Sequence, residues 1–154
     1  MGSNFEMRIL RPEDGEAILA FARARLEAQI EDAMEREFAQ WSAPWRGEAL
    51  QHYLASGWSF AAVDANGQIL GFALAQPLLF FRGFTQTVWT EYADASSEIV
   101  GAALVETLYR WSRDKHIQKL IFADSEQVPG WAKALGGQRT AEGWWEMATT
   151  RIKL

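Results

Sequence analysis

The residues with the most chemical content lie in ASSEIVGAAL, positions 95–104, where small side chains open an apolar-periodic stretch. The first turn of a helix leaves backbone N–H groups without intrahelical partners, and its dipole favours negative charge there. Gly101, Ala102 and Ala103 are small enough to let a phosphate oxygen approach such donors closely. The chemistry this suggests is anion binding by main chain around Glu98, Ile99 and Val100. Glu98 complicates it, because the same turn carries a carboxylate and no arginine or lysine. A carboxylate ~5 Å from a phosphate charge costs ~3 kcal/mol at an effective dielectric of ~20. Two readings stand: Glu98 stabilises the helix start and leaves the N–H groups to a ligand, or it takes the anion's place. Asp94, just upstream, adds negative charge to the same region.

The elements that position this segment belong to a chain of 154 residues, a length that fits one compact domain, 1–154, with a full core. A net charge of −5 argues against a nucleic-acid binder, and no apolar run approaches the ~20 residues of a membrane span. The absence of cysteine excludes disulfides, thiol nucleophiles and thiolate-bound metals. His52 and His116 are far apart and suggest no metal site. MGSNFEMRIL lacks the basic start and apolar core of a secretory signal, so the cytoplasm is the expected compartment. The chain carries 8 Trp, 9 Phe and 3 Tyr, most of them expected in the core, and the count by itself assigns none to a pocket.

Periodicity sets the order of elements. MRILRP alternates and is stopped by Pro12, as a first strand. Ile18, Ala22, Leu26 and Ile30 recur every four residues, as an amphipathic helix. Helical stretches follow at Glu31–Gln40 and in RGEALQHYLAS, separated by Pro44. WSFAAVDANGQILGFALAQP is a hairpin turning at Asn66-Gly67, and its second strand continues toward LLFF. FTQTVWTEY reads as a strand, Ser97 to about Lys115 as a long helix, and KLIFAD as a buried strand. PGWAKALGG is a short helix opened by Pro129, and WWEMATTRIKL is a closing strand. One of the adjacent Trp144 and Trp145 must face outward in such a strand and offers a contact for a homodimer. The result is a mixed α/β layout whose sheet need not be wholly parallel.

Taken together, MRILRPED, the hairpin, SSEIVGAALVETLYRWSRDKHIQKLIF and WAKALGG resemble the GCN5-related N-acetyltransferase (GNAT) family over nearly the whole chain. The resemblance implies a mostly antiparallel central sheet of six or seven strands flanked by about four helices. It also implies acetyl-CoA as cosubstrate, with the acetyl group transferred to an amine of a small molecule or a protein. The family's Arg/Gln-x-x-Gly-x-Gly/Ala motif falls on Glu98, Ile99, Val100, Gly101, Ala102 and Ala103, matching at Gly101 and Ala103 but not at Glu98.

The same resemblance implies a carboxylate base near the centre of the sheet, for which Glu91 is the candidate, and a main-chain donor around Trp89–Tyr92 for the carbonyl oxygen. Ala132 stands where the family's late tyrosine would protonate the leaving thiolate, so water, Ser125 or Tyr92 must serve. Phe38, Trp41 and Trp45, with Phe81 from the aromatic run before the cofactor strand, are the expected acceptor wall. Such a wall suits an apolar, aromatic or cationic amine, and Glu31, Asp32, Glu35 and Glu37 could attract a cation. The family often forms homodimers. The alternative is a catalytically inactive binding or regulatory module that keeps the fold, supported by Glu98 and the missing late tyrosine.

Overall fold

In a computed structural model of the chain, residues 4–79 and 86–149 are described. The alternation in FEMRI gives β1 (Phe5–Ile9), which starts two residues before the expected strand. A 3-10 turn at Pro12–Asp14 follows, where Asp14 accepts the Arg11 N–H at 2.8 Å. The four-residue spacing then forms α1 (Gly15–Gln29), burying Ile18 and Ala22. Asp32 caps α2 (Ala33–Trp41) by accepting the Glu35 N–H at 3.0 Å, so this helix begins two residues after Glu31. α3 (Gly47–Leu54) buries Leu50, Tyr53 and Leu54.

The hairpin forms β2 (Phe60–Asp64) and β3 (Ile69–Leu79) as expected. Of the turn pair only Gly67 takes a positive φ, 79°, while the Asp64 carboxylate gathers the Asn66 and Gln68 N–H groups at 2.8 and 3.0 Å. β4 (Gln86–Ala95), α4 (Glu98–Asp114) and β5 (Lys119–Phe122) come next. PGWAKALGG yields one helical turn, α5 (Val128–Trp131), and is followed by a two-residue strand that the sequence did not suggest, β6 (Gln138–Arg139). β7 (Trp145–Ala148) ends the described part; the remainder of the expected closing strand, 150–154, lies outside it. Trp144 and Trp145 are both half-buried, Trp144 against Trp89 and Trp145 against the main core.

Seven strands lie in the order β1-β2-β3-β4-β5-β7-β6, with β4–β5 the parallel pair and the other pairs antiparallel. The sheet is buried on both faces. Ala62, Ala73, Val88 and Leu120 pack under Leu104 and Leu108 of α4, while Ala61, Phe72 and Leu74 pack under Ile18 of α1 and Leu50 and Leu54 of α3. Burial on both sides explains why β2 reads as a continuous apolar run. No described helix is long and apolar enough to cross a membrane.

Candidate active site

β4 pairs with β3 from Gln86 to Ala95, yet it pairs with β5 only from Thr87 to Thr90. A bond from the Ala123 N–H to the Thr90 carbonyl, 2.9 Å, closes that ladder. Beyond it β5 gives way to the loop before α5 while β4 runs on, so the strands part. Leu74 lies opposite Tyr92 and Ala75 opposite Thr90, which leaves Glu91 with no residue across from it. This bulge bends the strand and resets its alternation. As a result Glu91 and Tyr92 both meet the α1/α3 side: Tyr53 reaches Glu91, and the Phe72 ring lies 5.6 Å from that of Tyr92. Ser59 pins α3 to the same place, its hydroxyl accepting the Ala75 N–H at 3.0 Å and bonding the Tyr53 carbonyl at 2.9 Å.

The parting strands enclose a cleft of about 180 Å³. Thr90, Glu91, Tyr92 and Asp94 form one wall, Phe122, Asp124, Ser125 and Val128 the other, and Gln29 of α1 closes an edge. Three carboxylates line it, and they are not equivalent. Asp94 is held by Arg25 through two bonds, 3.0 and 3.1 Å, and accepts the Ala95 N–H at 2.8 Å. The bond to Asp94 raises the Arg25 pKa despite partial burial. Asp124 is paired with Arg139. Glu91 has a neutral partner instead, the Tyr53 hydroxyl, which donates to its Oε1 at 3.4 Å. It is therefore the lining carboxylate whose charge no arginine offsets among the described residues.

Both nearby phenols keep their protons through neutral pH. Burial, chiefly, and the Glu91 charge push Tyr53 up to about 12, with Trp89 opposing. Burial and then the Asp94 charge push Tyr92 up to about 12, while Trp45 and Arg25 pull it down. Thr90, 1% exposed, carries a hydroxyl with no hydrogen-bond partner among the described residues. Ser125 is occupied: its oxygen accepts the Gln127 and Val128 N–H groups at 3.2 and 3.3 Å in the turn that leads into α5.

At the start of α4, Ser97 is the cap, accepting the Val100 N–H at 3.3 Å. Glu98 and Ile99 are exposed, Val100 is buried, and the Gly101 N–H is bonded to the Ser97 carbonyl at 3.0 Å. The first-turn donors left to a ligand are those of Glu98 and Ile99. Gly101 owes its size to a different neighbour: a Cβ there would lie 2.1 Å from the Trp131 ring. Ala102 and Ala103 lie in the helix body, past the turn whose N–H groups are open. Ala132, in the place of the late tyrosine, is fully buried.

The structure thus brings Glu91 and Tyr92 together at one cleft but divides the aromatic set. Trp45 is not a wall: it is 2% exposed, in the core beneath α1 and α3, beside Tyr92. Phe38 and Trp41 are 61% and 59% exposed on α2, their rings edge to face at 6.1 Å and outside the cleft lining. Phe81 lies outside the described residues. Among the described residues no three His, Asp or Glu side chains stand close enough to share a metal ion. Arg25, Tyr53 and Thr90 were not legible as site residues, since what marks them is contact across the sheet.

No protein-family model matches the chain, and no curated protein matches it in sequence. Solved structures match it in shape. PaiA N-acetyltransferase from Thermoplasma acidophilum, in complex with coenzyme A, aligns over 95% of this chain and 99% of its own, with a TM-score of 0.66 at 15% identity. The polyamine N-acetyltransferase of Drosophila melanogaster, which forms N-acetylagmatine, aligns over 94% and 99%, at 0.64 and 15%. Arylalkylamine N-acetyltransferase 2 from Aedes aegypti aligns over 95% and 97%, at 0.64 and 13%. Together with the seven-stranded sheet and the parting of β4 from β5, these likenesses show that the chain has the fold of the GCN5-related N-acetyltransferases.

Proposed function

We propose that the chain is an acetyl-CoA-dependent N-acetyltransferase acting on the amine of a small molecule or peptide. The observation that carries this reading is the open parting of β4 from β5 with Glu91 bulged at its apex. Acetyl-CoA supplies an activated acyl thioester; the chain has to hold it and manage protons. The residues fit that need. The Glu98 and Ile99 N–H groups, left open at the start of α4, would hold the phosphate-bearing end of the cosubstrate, and the exposed Ile99 side chain would offer it an apolar contact. The body of Glu98–Ala103 then supplies the helix dipole rather than further donors.

Glu91 accepts the acceptor amine's proton, a role left open because no cationic side chain pairs with it among the described residues. A main-chain N–H near the bulge polarises the carbonyl. Tyr92, at about 12, is a hydrogen-bond donor to the departing sulfur. Complete proton transfer from it to a thiolate of ordinary pKa ~8.5 is uphill by more than three decades, so solvent delivers the final proton. The acceptor enters from the α1/α2 side, where Gln29 lines the cleft and α2 begins four residues later. Phe38 and Trp41, exposed on α2 with Glu35 and Glu37, would suit a cationic or arylalkyl amine of the kind the similar enzymes are named for.

The test is thiol release from acetyl-CoA against agmatine, polyamines and arylalkylamines. Turnover of at least one supports the reading, and none across the panel contradicts it. Tyr53→Phe is expected to lower kcat roughly threefold to tenfold, because Glu91 loses the donor that orients it, with KM for acetyl-CoA within about twofold. An unchanged kcat would leave Tyr53 a packing residue.

A further inference from the structure

Three side-chain hydroxyls, those of Thr87, Thr90 and Ser112, are buried without a hydrogen-bond partner among the described residues. Such groups are uncommon, because a hydroxyl removed from water without a partner destabilises the fold. Thr90 differs from the other two in place. Thr87 and Ser112 are fully buried and line none of the clefts described, whereas Thr90 is part of the wall between the parting strands. It is also the last β4 residue paired to β5, opposite Phe122, and it directly precedes the bulged Glu91. Its own backbone is spoken for, since the carbonyl accepts the Ala123 N–H at 2.9 Å. The side-chain hydroxyl alone is left over at the apex.

Resting on the acetyltransferase reading above, we infer that Thr90 is a further catalytic residue, its Oγ1–H donating to the carbonyl oxygen of the acyl thioester as that oxygen gains charge. The position supports this in three ways. The hydroxyl rotates freely about its Cβ–Oγ bond, so it can follow the oxygen as the carbonyl carbon becomes tetrahedral. It is shielded from bulk water, which strengthens a hydrogen bond made there. Its neighbour Glu91 is the proposed base, so the donor and the proton acceptor come from consecutive residues at the apex of the parting strands. In the step, the amine nitrogen bonds to the carbonyl carbon, the carbon–sulfur bond breaks and its electron pair leaves on the thiolate, which solvent then protonates, and the amine's proton goes to Glu91. The Thr90 proton stays on Oγ1 throughout, so the atoms balance without any further reactant.

The experiment compares Thr90→Val, Thr90→Ser and Thr87→Val with the unmodified protein, in thermal unfolding, acetyl-CoA calorimetry and steady-state transfer. Valine keeps the shape and removes the hydroxyl. Thr90→Val is expected to melt at a higher temperature by a few degrees, because an unpaired buried polar group is gone, yet to lose kcat by about 30- to 100-fold. Its affinity for acetyl-CoA stays within about threefold. Thr90→Ser restores most of the rate, and Thr87→Val gains stability without losing rate. A gain in stability with a loss of rate is a pairing that a packing role does not produce. A Thr90→Val rate within threefold of the unmodified protein overturns the inference, as does a loss confined to affinity. If the unmodified protein transfers no acetyl group, the acetyltransferase reading has failed and this role fails with it. If it does and Thr90→Val matches it, only this role has failed.

Discussion

Replacing Glu91 by Gln is expected to lower kcat/KM for acetyl transfer by about 10²- to 10⁴-fold, with acetyl-CoA affinity changed by no more than about threefold. The asymmetry among the cleft carboxylates is the reason. Arg25 holds Asp94 and Arg139 holds Asp124, so both of these carboxylates already have a cationic partner. Glu91 is held by a phenol that donates to it and leaves its second oxygen for the acceptor. Glutamine preserves the side-chain shape and the bulge while removing the proton acceptor. The loss is expected to shrink as pH rises toward the pKa of the acceptor amine, because a neutral amine needs less help. The pH profile of kcat/KM for the two proteins checks this. A loss below about threefold at neutral pH would place the base elsewhere in the cleft.

The largest effect on stability is expected from Gly101→Ala. In a helix interior this exchange ordinarily stabilises by up to ~1 kcal/mol. Here the added Cβ would lie 2.1 Å from the Trp131 ring, at the fused edge of the indole rather than at the tip of a flexible chain. Trp131 is 8% exposed and packed in the larger core, so it has little room to retreat. Overpacking of this kind costs about 1–3 kcal/mol, and an overlap this deep belongs at or beyond the upper end. We therefore expect a net loss of about 2 kcal/mol and a melting temperature lower by about 4–8 °C. Gly101→Ala combined with Trp131→Leu is expected to recover part of it. A variant as stable as the parent would mean that α5 swings away from α4 at no cost.

What the sequence disclosed follows from the range of the interactions. The hairpin at Asp64–Gln68, the periodicity of α4 and the order of elements as far as α5 are local patterns that reappear as read, while the two-residue β6 left no such pattern. The small residues at 101–103 also showed at sequence level, but the tryptophan that requires the glycine is thirty positions on, so the cause was hidden while the signal was visible. The bulge at Glu91 is a mismatch of register between β3 and β4, which neither strand carries alone. Arg25 reaches Asp94 across 69 positions, and Tyr53 reaches Glu91 across 38. Trp45 looked like Phe38 and Trp41 because all three cluster around one proline. Only the packing of α3 onto the sheet buries Trp45 and leaves the other two outside. The Asp94 charge beside the helix start is likewise cancelled by an arginine that no nearby sequence announces.

Calorimetric titration of the purified chain with acetyl-CoA, beside Glu98→Gln, asks whether this cleft and helix start take the cosubstrate. Ser97, not Glu98, caps α4, and Glu98 is exposed. Its repulsion of a phosphate is therefore close to the weak, salt-screened value of water. Micromolar binding to the unmodified protein is expected, with an affinity for Glu98→Gln tighter by less than about fivefold. Binding by Glu98→Gln alone would mean that the carboxylate occupies the anion site, and no heat from either protein would contradict the account and leave a fold kept for another use.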